Sequence, residues 1–244
     1  MAIELLVFDL DGTLIDSKLD LALAVNAARE DLGMPPLAHD TVFSYVGNGA
    51  PTLVRRAIGE QASEDQLQRS LEFFLGYYRR HMLDNTRLYP GAREALDRMH
   101  AAGLRMAVLT NKPVRFSREL LRGLGVAEHF QVVYGGNSFE TKKPHPEGLQ
   151  IVITELGVAP ERTLVAGDSA VDVWTARNAG AWSCGVSYGF QPETFAEDPP
   201  DVMVDSLEEL AEVVVSGRFP ALGAGATSRP RPSAPSCATP LPPD

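Results

Sequence analysis

Two carboxylates, Asp9 and Asp11, stand two residues apart directly after the apolar run Leu5-Leu6-Val7-Phe8, and Gly12-Thr13 follows them. If that run is a strand, its period of two sends both carboxylates to one side of the chain at the strand's carboxyl end, where like charges repel. A divalent cation relieves the repulsion, and oxygen ligands without a neighbouring His or Cys favour magnesium over zinc. Asp-x-Asp-Gly taken alone also fits a solvated turn that closes a hairpin. Three later clusters bear on the choice: Thr110-Asn111-Lys112 follows a second apolar run, Lys142-Lys143 precedes Pro144-His145-Pro146, and Gly167-Asp168-Ser169 follows a third run with Asp172 one helical turn later.

The elements that must position these residues fall into two kinds. Leu21, Val25, Ala28 and Leu32 recur at helical spacing until Gly33 and Pro35-Pro36 stop the pattern. Asp40 is placed to cap a short helix through Val46, Gly47-Asn48-Gly49 breaks it, and Pro51 opens the next at its first turn. Ser63-Glu64-Asp65-Gln66 has capping-box spacing, and Leu67, Leu71, Phe74, Leu75 and Tyr78 share one face after it. Residues 17–83 therefore read as an all-helical insertion.

From Tyr89-Pro90-Gly91 onward, strands are expected over 106–110, 132–134, 163–167, 183–186 and 202–204, with helices over 92–102, 117–124, 147–156, 170–179 and 207–214. Strands separated by helices imply right-handed crossovers and a parallel sheet, with the site at the strands' carboxyl ends. The fold class is thus α/β, a Rossmann-like parallel-sheet core over residues 1–16 and 84–216. A small helical cap over 17–83 is inserted after the first strand, and a disordered tail rich in Pro, Ala and Ser occupies 217–244.

Asp9-x-Asp11-x-Thr13, Thr110, Lys143 before Pro144, and Gly167-Asp168-Ser169-x-x-Asp172, in that order on alternating strands, resemble the motifs of the haloacid dehalogenase superfamily of aspartate-nucleophile phosphatases. The resemblance covers about residues 3–210. It implies that Asp9 attacks phosphorus and forms an aspartyl phosphate, while Asp11 protonates the departing alkoxide and later takes a proton from the hydrolytic water. It further implies magnesium held by Asp9, Asp168 and the backbone carbonyl of Asp11, with Asp172 supporting the ion through water or through a hydrogen bond to Lys143. Thr110 and the backbone near Asn111 would bind phosphoryl oxygens, Lys143 would supply fixed positive charge, and Thr13 would shape the turn after Asp11. Such parts suit phosphoryl transfer, which asks a protein for an in-line nucleophile and charge neutralisation and little else.

Within the superfamily, Asp11 argues against a dehalogenase, which needs no acid to expel a halide. The stretch 14–21 lacks the His expected of a sugar phosphomutase. Asp16-Ser17, Tyr45-Val46-Gly47-Asn48-Gly49-Ala50, Leu53-Val54-Arg55-Arg56-Ala57, Leu88-Tyr89-Pro90-Gly91, Thr110-Asn111-Lys112-Pro113 and Gly135-Gly136 look like the bacterial phosphoglycolate phosphatase branch. Asn137-Ser138 departs from it, since acidic residues are expected after the paired glycines. A substrate with a carboxylate beside its phosphate needs a further donor, and Arg56 of the cap, helped by the Gly47-Asn48-Gly49 loop, is the candidate. The alternatives are a phosphatase or phosphomutase for another small sugar phosphate and, from another class, a phosphoaccepting signalling domain, which also combines clustered aspartates with a Thr and a Lys.

Composition narrows the partners. Across 244 residues the formal net charge is −10, which argues against nucleic acid or an anionic membrane as partner but leaves room for a small anionic phosphomonoester drawn in by a metal and local lysines. Two cysteines, Cys184 in an expected strand and Cys237 in the tail, make no disulfide framework. The start Met1-Ala2-Ile3-Glu4 has no basic, apolar leader pattern, so a cytoplasmic protein is expected. His145 is expected to pack or face solvent, and His39, His81, His100 and His129 to lie at helix ends or on the surface. Trp174 and Phe130 are expected in the core, and Gly189 to shape a loop.

Overall fold

A computed structural model describes residues 2–217. The expected tail, with Cys237, therefore lies outside the described residues apart from Gly217. In chain order the elements are β1 (Leu5–Phe8), β2 (Ile15–Asp16), α1 (Lys18–Asp31), α2 (His39–Phe43), α3 (Ala50–Ile58), α4 (Glu64–His81), β3 (Arg87–Leu88), α5 (Ala92–Ala101), β4 (Arg105–Leu109) and α6 (Val114–Gly123). They continue with β5 (Val132–Tyr134), α7 (Glu147–Glu155), β6 (Thr163–Gly167), α8 (Ala170–Ala179), β7 (Trp182–Val186), β8 (Val202–Val204) and α9 (Leu207–Val215).

Six of the strands form one sheet in the order β5-β4-β1-β6-β7-β8, every neighbouring pair parallel. The apolar run of β1 is buried along its whole length because both faces of the sheet are covered. Leu6 and Phe8 join one core with Leu96 of α5, Leu120 of α6 and Leu210 of α9. Leu5 and Val7 join the other with Leu149 and Val152 of α7 and Ala176 of α8. The chain leaves β1 toward β4 and β5 and then returns to the other side of β1 for β6. That reversal puts a topological switch point beside β1, where ligands bind outside the strand ends in such sheets.

Between β2 and β3 run the four helices α1–α4, with α4 packed on both α1 and α3. Ser63 caps α4 as its spacing predicts: its hydroxyl accepts from Gln66 N at 3.2 Å, and Gln66 Oε1 accepts from Ser63 N at 3.0 Å. β2 and β3 pair antiparallel, Ile15 with Leu88 and Asp16 with Arg87, where the chain leaves the sheet domain and re-enters it. This two-stranded ribbon is absent from the sequence reading, because two residues carry no periodicity. Beside it Asp20, 1% exposed, accepts from the backbone N–H groups of both Asn85 and Thr86, from Asn85 Nδ2 and from Thr86 Oγ1.

Several expectations shift. Asp40 does not cap α2; Ala38 holds the N-cap position, and Asp40 lies in the first turn, where its charge still complements the helix dipole. α6 starts three residues earlier than expected, because the acceptor for Val114 N is Asn137 Oδ1 at 2.9 Å, a side chain 23 residues downstream. His129 is buried rather than superficial, its Nε2 2.7 Å from Asp97 Oδ1. Trp174 is only half-buried and carries Arg177 on its ring, whereas Phe130 is a core residue as expected, edge-on to Phe8. Burial pushes the Cys184 thiol up to about 12, in keeping with an inert core residue. Among the described residues no helix is long and apolar enough to cross a membrane.

Candidate active site

The carboxyl ends of β1, β4 and β6 meet at one cleft. Phe8 lies opposite both Val108 and Ala166, so Asp9, Thr110 and Asp168 leave the sheet at nearly one level. All three line the cleft, together with Asp11, Asn111, Lys112, Lys143 and Asp172. The cap closes its other side with Leu21, Val46, Gly47, Gly49, Leu53, Phe74 and Tyr78.

Asp9, Asp168 and Asp172 each offer a carboxylate oxygen within 4.8 Å of the others. Lys143 Nζ is 2.7 Å from Asp172 Oδ1 and 2.8 Å from Asp9 Oδ1, with its own side chain 4% exposed. The Lys143 ammonium is the polar neighbour of Asp9 Oδ1, though its angle is poor for a hydrogen bond. Burial raises the carboxyl of Asp168 well above its ordinary range, and the charges of Asp172 and Asp9 raise it further. Burial also raises Asp172, although Lys143 pulls it down. For Lys143 burial favours the neutral amine, but Asp172 and Asp9 outweigh it and hold the ammonium above its usual pKa. Three clustered, largely shielded carboxylates form an all-oxygen site that fits a hard divalent cation.

Close approach explains two glycines. A Cβ on Gly12, whose φ is +83°, would meet Asp168 Oδ2 at 2.1 Å, and one on Gly189 would meet Asp168 Cβ at 2.2 Å. Gly189 thus makes room for a site carboxylate beyond shaping its loop, and Phe190 N, the next residue, donates to Asp168 Oδ2 at 2.6 Å.

Asp11 points elsewhere. Its carboxylate accepts from Lys112 Nζ at 3.0 and 3.1 Å and from Ser17 Oγ at 2.5 Å, so its side chain is not part of the carboxylate cluster. Asp172 holds the expected hydrogen bond from Lys143 on Oδ1, its Oδ2 accepts from Ser169 N and Oγ, and its carboxylate lies close to those of Asp9 and Asp168. Thr110 Oγ1 accepts from Lys112 N at 3.3 Å and keeps its own proton to donate. Asn111 is a strut: its Oδ1 accepts from Lys143 N at 3.1 Å, while Nδ2 donates to Lys143 O and, across to the cap, to Gly47 O at 3.1 Å. Thr13 is fully buried with its Oγ1 unpartnered, and its carbonyl accepts from Tyr188 OH.

The cap candidate is corrected. Leu53, Val54, Ala57 and Ile58 form the buried face of α3, which turns Arg56 to solvent, where Nη1 reaches only Tyr45 O at 3.5 Å. No part of the cleft lining is Arg56. Asn137 accepts from Val114 N at the start of α6 and Ser138 from Gly135 N within its own turn, so the departure from acidic residues leaves two structural polar groups outside the cleft lining. His145 is exposed, as expected. Sequence reading missed Lys112 as a charged wall of the cleft and Gln191, whose Nε2 donates to Val46 O of the cap at 2.8 Å.

Comparison with known proteins agrees with this geometry. Residues 6–186 match the family described as Haloacid dehalogenase-like hydrolase. A phosphoglycolate phosphatase from Vibrio parahaemolyticus is 41% identical over 219 residues, which are 87% of this chain and 96% of that protein. One from Chromobacterium violaceum is 39% identical, covering 88% of this chain and 98% of its own. Among solved structures, a predicted phosphoglycolate phosphatase from Haemophilus somnus superposes with a TM-score of 0.83 at 32% identity, covering 86% of this chain and 97% of its own.

Proposed function

The chain belongs to the haloacid dehalogenase-like hydrolases as a phosphoric monoester hydrolase, and from that membership we propose that it converts 2-phosphoglycolate to glycolate and phosphate through a phosphoenzyme on Asp9. The Asp9 carboxylate attacks phosphorus, the phosphorus–oxygen ester bond breaks, and the alkoxide leaves with a proton from Asp11. Asp11 then takes a proton from the water that attacks the phosphorus of the aspartyl phosphate, which frees phosphate and restores Asp9. Splitting acid and base duty from nucleophilic duty between two carboxylates is an effective arrangement near neutral pH.

Lys143 holds its ammonium beside Asp9, where it offsets charge on the transferring group. The Thr110 hydroxyl donates its free proton to a phosphoryl oxygen. Asn111 fixes Lys143 from both sides of its peptide and ties the site to the cap. Asp9, Asp168 and the backbone carbonyl of Asp11 would hold magnesium, with Asp172 supporting the site through its hydrogen bond from Lys143; when bound, the ion supplies positive charge beside the phosphoryl oxygens.

The observation that carries this reading is the placement of Lys143 between Asp9 and Asp172 at the sheet's switch point, with Asp11 on a separate hydrogen-bond network. One carboxylate is thereby set toward the cation site and the other toward proton transfer. A panel of kcat/KM values over 2-phosphoglycolate, sugar phosphates and nucleoside monophosphates, with magnesium and then with chelator, tests it. Phosphoglycolate is expected to lead and chelation to abolish turnover; a sugar phosphate in the lead would favour the competing phosphatase or mutase reading.

A further inference from the structure

With Arg56 turned to solvent, Lys112 and Lys143 are the cations lining the cleft among the described residues. Lys143 stands on the Asp9 and Asp172 side of the cleft, where the phosphoryl group is expected. Lys112, at the end of β4, is 7% exposed and bridges core and cap, with its Nζ on Asp11 and 2.8 Å from Tyr78 OH of α4. Tyr78 is 1% exposed, and its ring is stacked on Phe74 and edge-on to Phe116, which fixes where the hydroxyl sits. Because that hydroxyl accepts from Lys112, it retains its own proton to give.

A charged donor from the core and a neutral donor from the cap therefore converge inside the cleft. A buried ammonium against aromatic rings is costly unless anionic groups offset it. Asp11 supplies that offset, with its two carboxylate oxygens 3.1 and 3.0 Å from Lys112 Nζ.

We propose that Lys112 and Tyr78 form the subsite for the substrate's carboxylate, so that selection of a carboxylate-bearing phosphomonoester is set by a core lysine and a cap tyrosine. This rests on the 2-phosphoglycolate reading above. It also accounts for the cap's part in selection: Tyr78 reaches Lys112 only while α4 covers the cleft, so the subsite is complete only with the cap in place.

The test compares 2-phosphoglycolate with 2-hydroxyethyl phosphate, which keeps the phosphate and lacks the carboxylate, both with magnesium, in the wild type, Lys112→Met and Tyr78→Phe. The ratio of their kcat/KM values is expected to fall about tenfold or more in Lys112→Met, through KM for phosphoglycolate, and about threefold or more in Tyr78→Phe. An unchanged ratio in an active Lys112→Met, or an equal loss on both substrates, overturns the subsite and leaves Lys112 as a positioning residue for Asp11. Should Lys112→Met fail to fold, Tyr78→Phe decides alone, since it removes one oxygen, and an unchanged ratio there overturns the subsite. A wild type without preference for phosphoglycolate overturns the parent reading instead, which separates the two failures.

Discussion

Lys143 Nζ stands 2.8 Å from Asp9 Oδ1 with both side chains largely shielded from water, the lysine at 4% and the aspartate at 13% exposure. The same ammonium is 2.7 Å from Asp172 Oδ1, so one cation serves two buried carboxylates. Removing one partner of a buried ion pair is far more damaging than the pair is stabilising, because the other charge stays behind unpaired. Lys143→Met is therefore expected to destabilise the fold by about 3 kcal/mol or more and to lower kcat by about 100-fold or more. Denaturant unfolding and initial rates check both; a variant with wild-type kcat would remove Lys143 from the chemistry.

Asp168 and Asp172 also set a pH dependence. Their folded carboxyls titrate above the ordinary value of 3.8, so over that interval the folded state binds more protons than the unfolded chain. Stability then falls as pH rises from 3.8 toward the raised folded values. Chelated protein is expected to lose melting temperature across this window. Magnesium, which binds only the ionised carboxylates, should reduce the loss, and Asp168→Asn should flatten the slope without metal. Thermal melts against pH, with chelator, with magnesium and for chelated Asp168→Asn, read it out; identical slopes in all three would contradict the assignment.

Gly189 is predicted to be intolerant of a side chain although it bears none of the chemistry. A Cβ there would displace Asp168, whose Cβ would lie 2.2 Å away. Gly189→Ala should raise the magnesium concentration for half-maximal activity by about 10- to 100-fold while leaving the far-ultraviolet circular dichroism intact. Unchanged magnesium dependence would show that Asp168 has room to move.

The ribbon of β2 and β3 is the double crossing between sheet domain and cap, and Asp20 locks it with hydrogen bonds from Asn85 and Thr86. Asp20→Ala leaves the buried N–H and hydroxyl of Thr86 unpaired and should cost about 3 kcal/mol in stability. Urea unfolding checks it; a loss under about 1 kcal/mol would mean water replaces the carboxylate.

Much of this arrangement is legible in the sequence because it follows from strand ends. β5, β6, α8 and β8 have the bounds their apolar runs and stop residues predict. Asp9, Thr110 and Asp168 are conspicuous as polar residues directly after such runs, and Lys143 as a lysine before a rigid turn. What stays hidden depends on which faces meet in three dimensions. Arg56 looks suited to a substrate anion, yet the buried stripe of α3 turns it outward. Lys112 reads as a motif neighbour, because its partners Asp11 and Tyr78 are 101 and 34 residues away. Asn137 looks like a missing acid until the start of α6 is seen to need its oxygen.

The central claim is that Asp9 is the nucleophile, and trapping the phosphoenzyme tests it most directly. Wild-type protein turning over 2-phosphoglycolate with a labelled phosphoryl group and magnesium is quenched in acid, and the label is mapped on the chain. Label on Asp9 that disappears on chase with unlabelled substrate, and is absent from an inactive Asp9→Asn variant, is the predicted result. Steady hydrolysis with no label on Asp9, or wild-type kcat in Asp9→Asn, would contradict it.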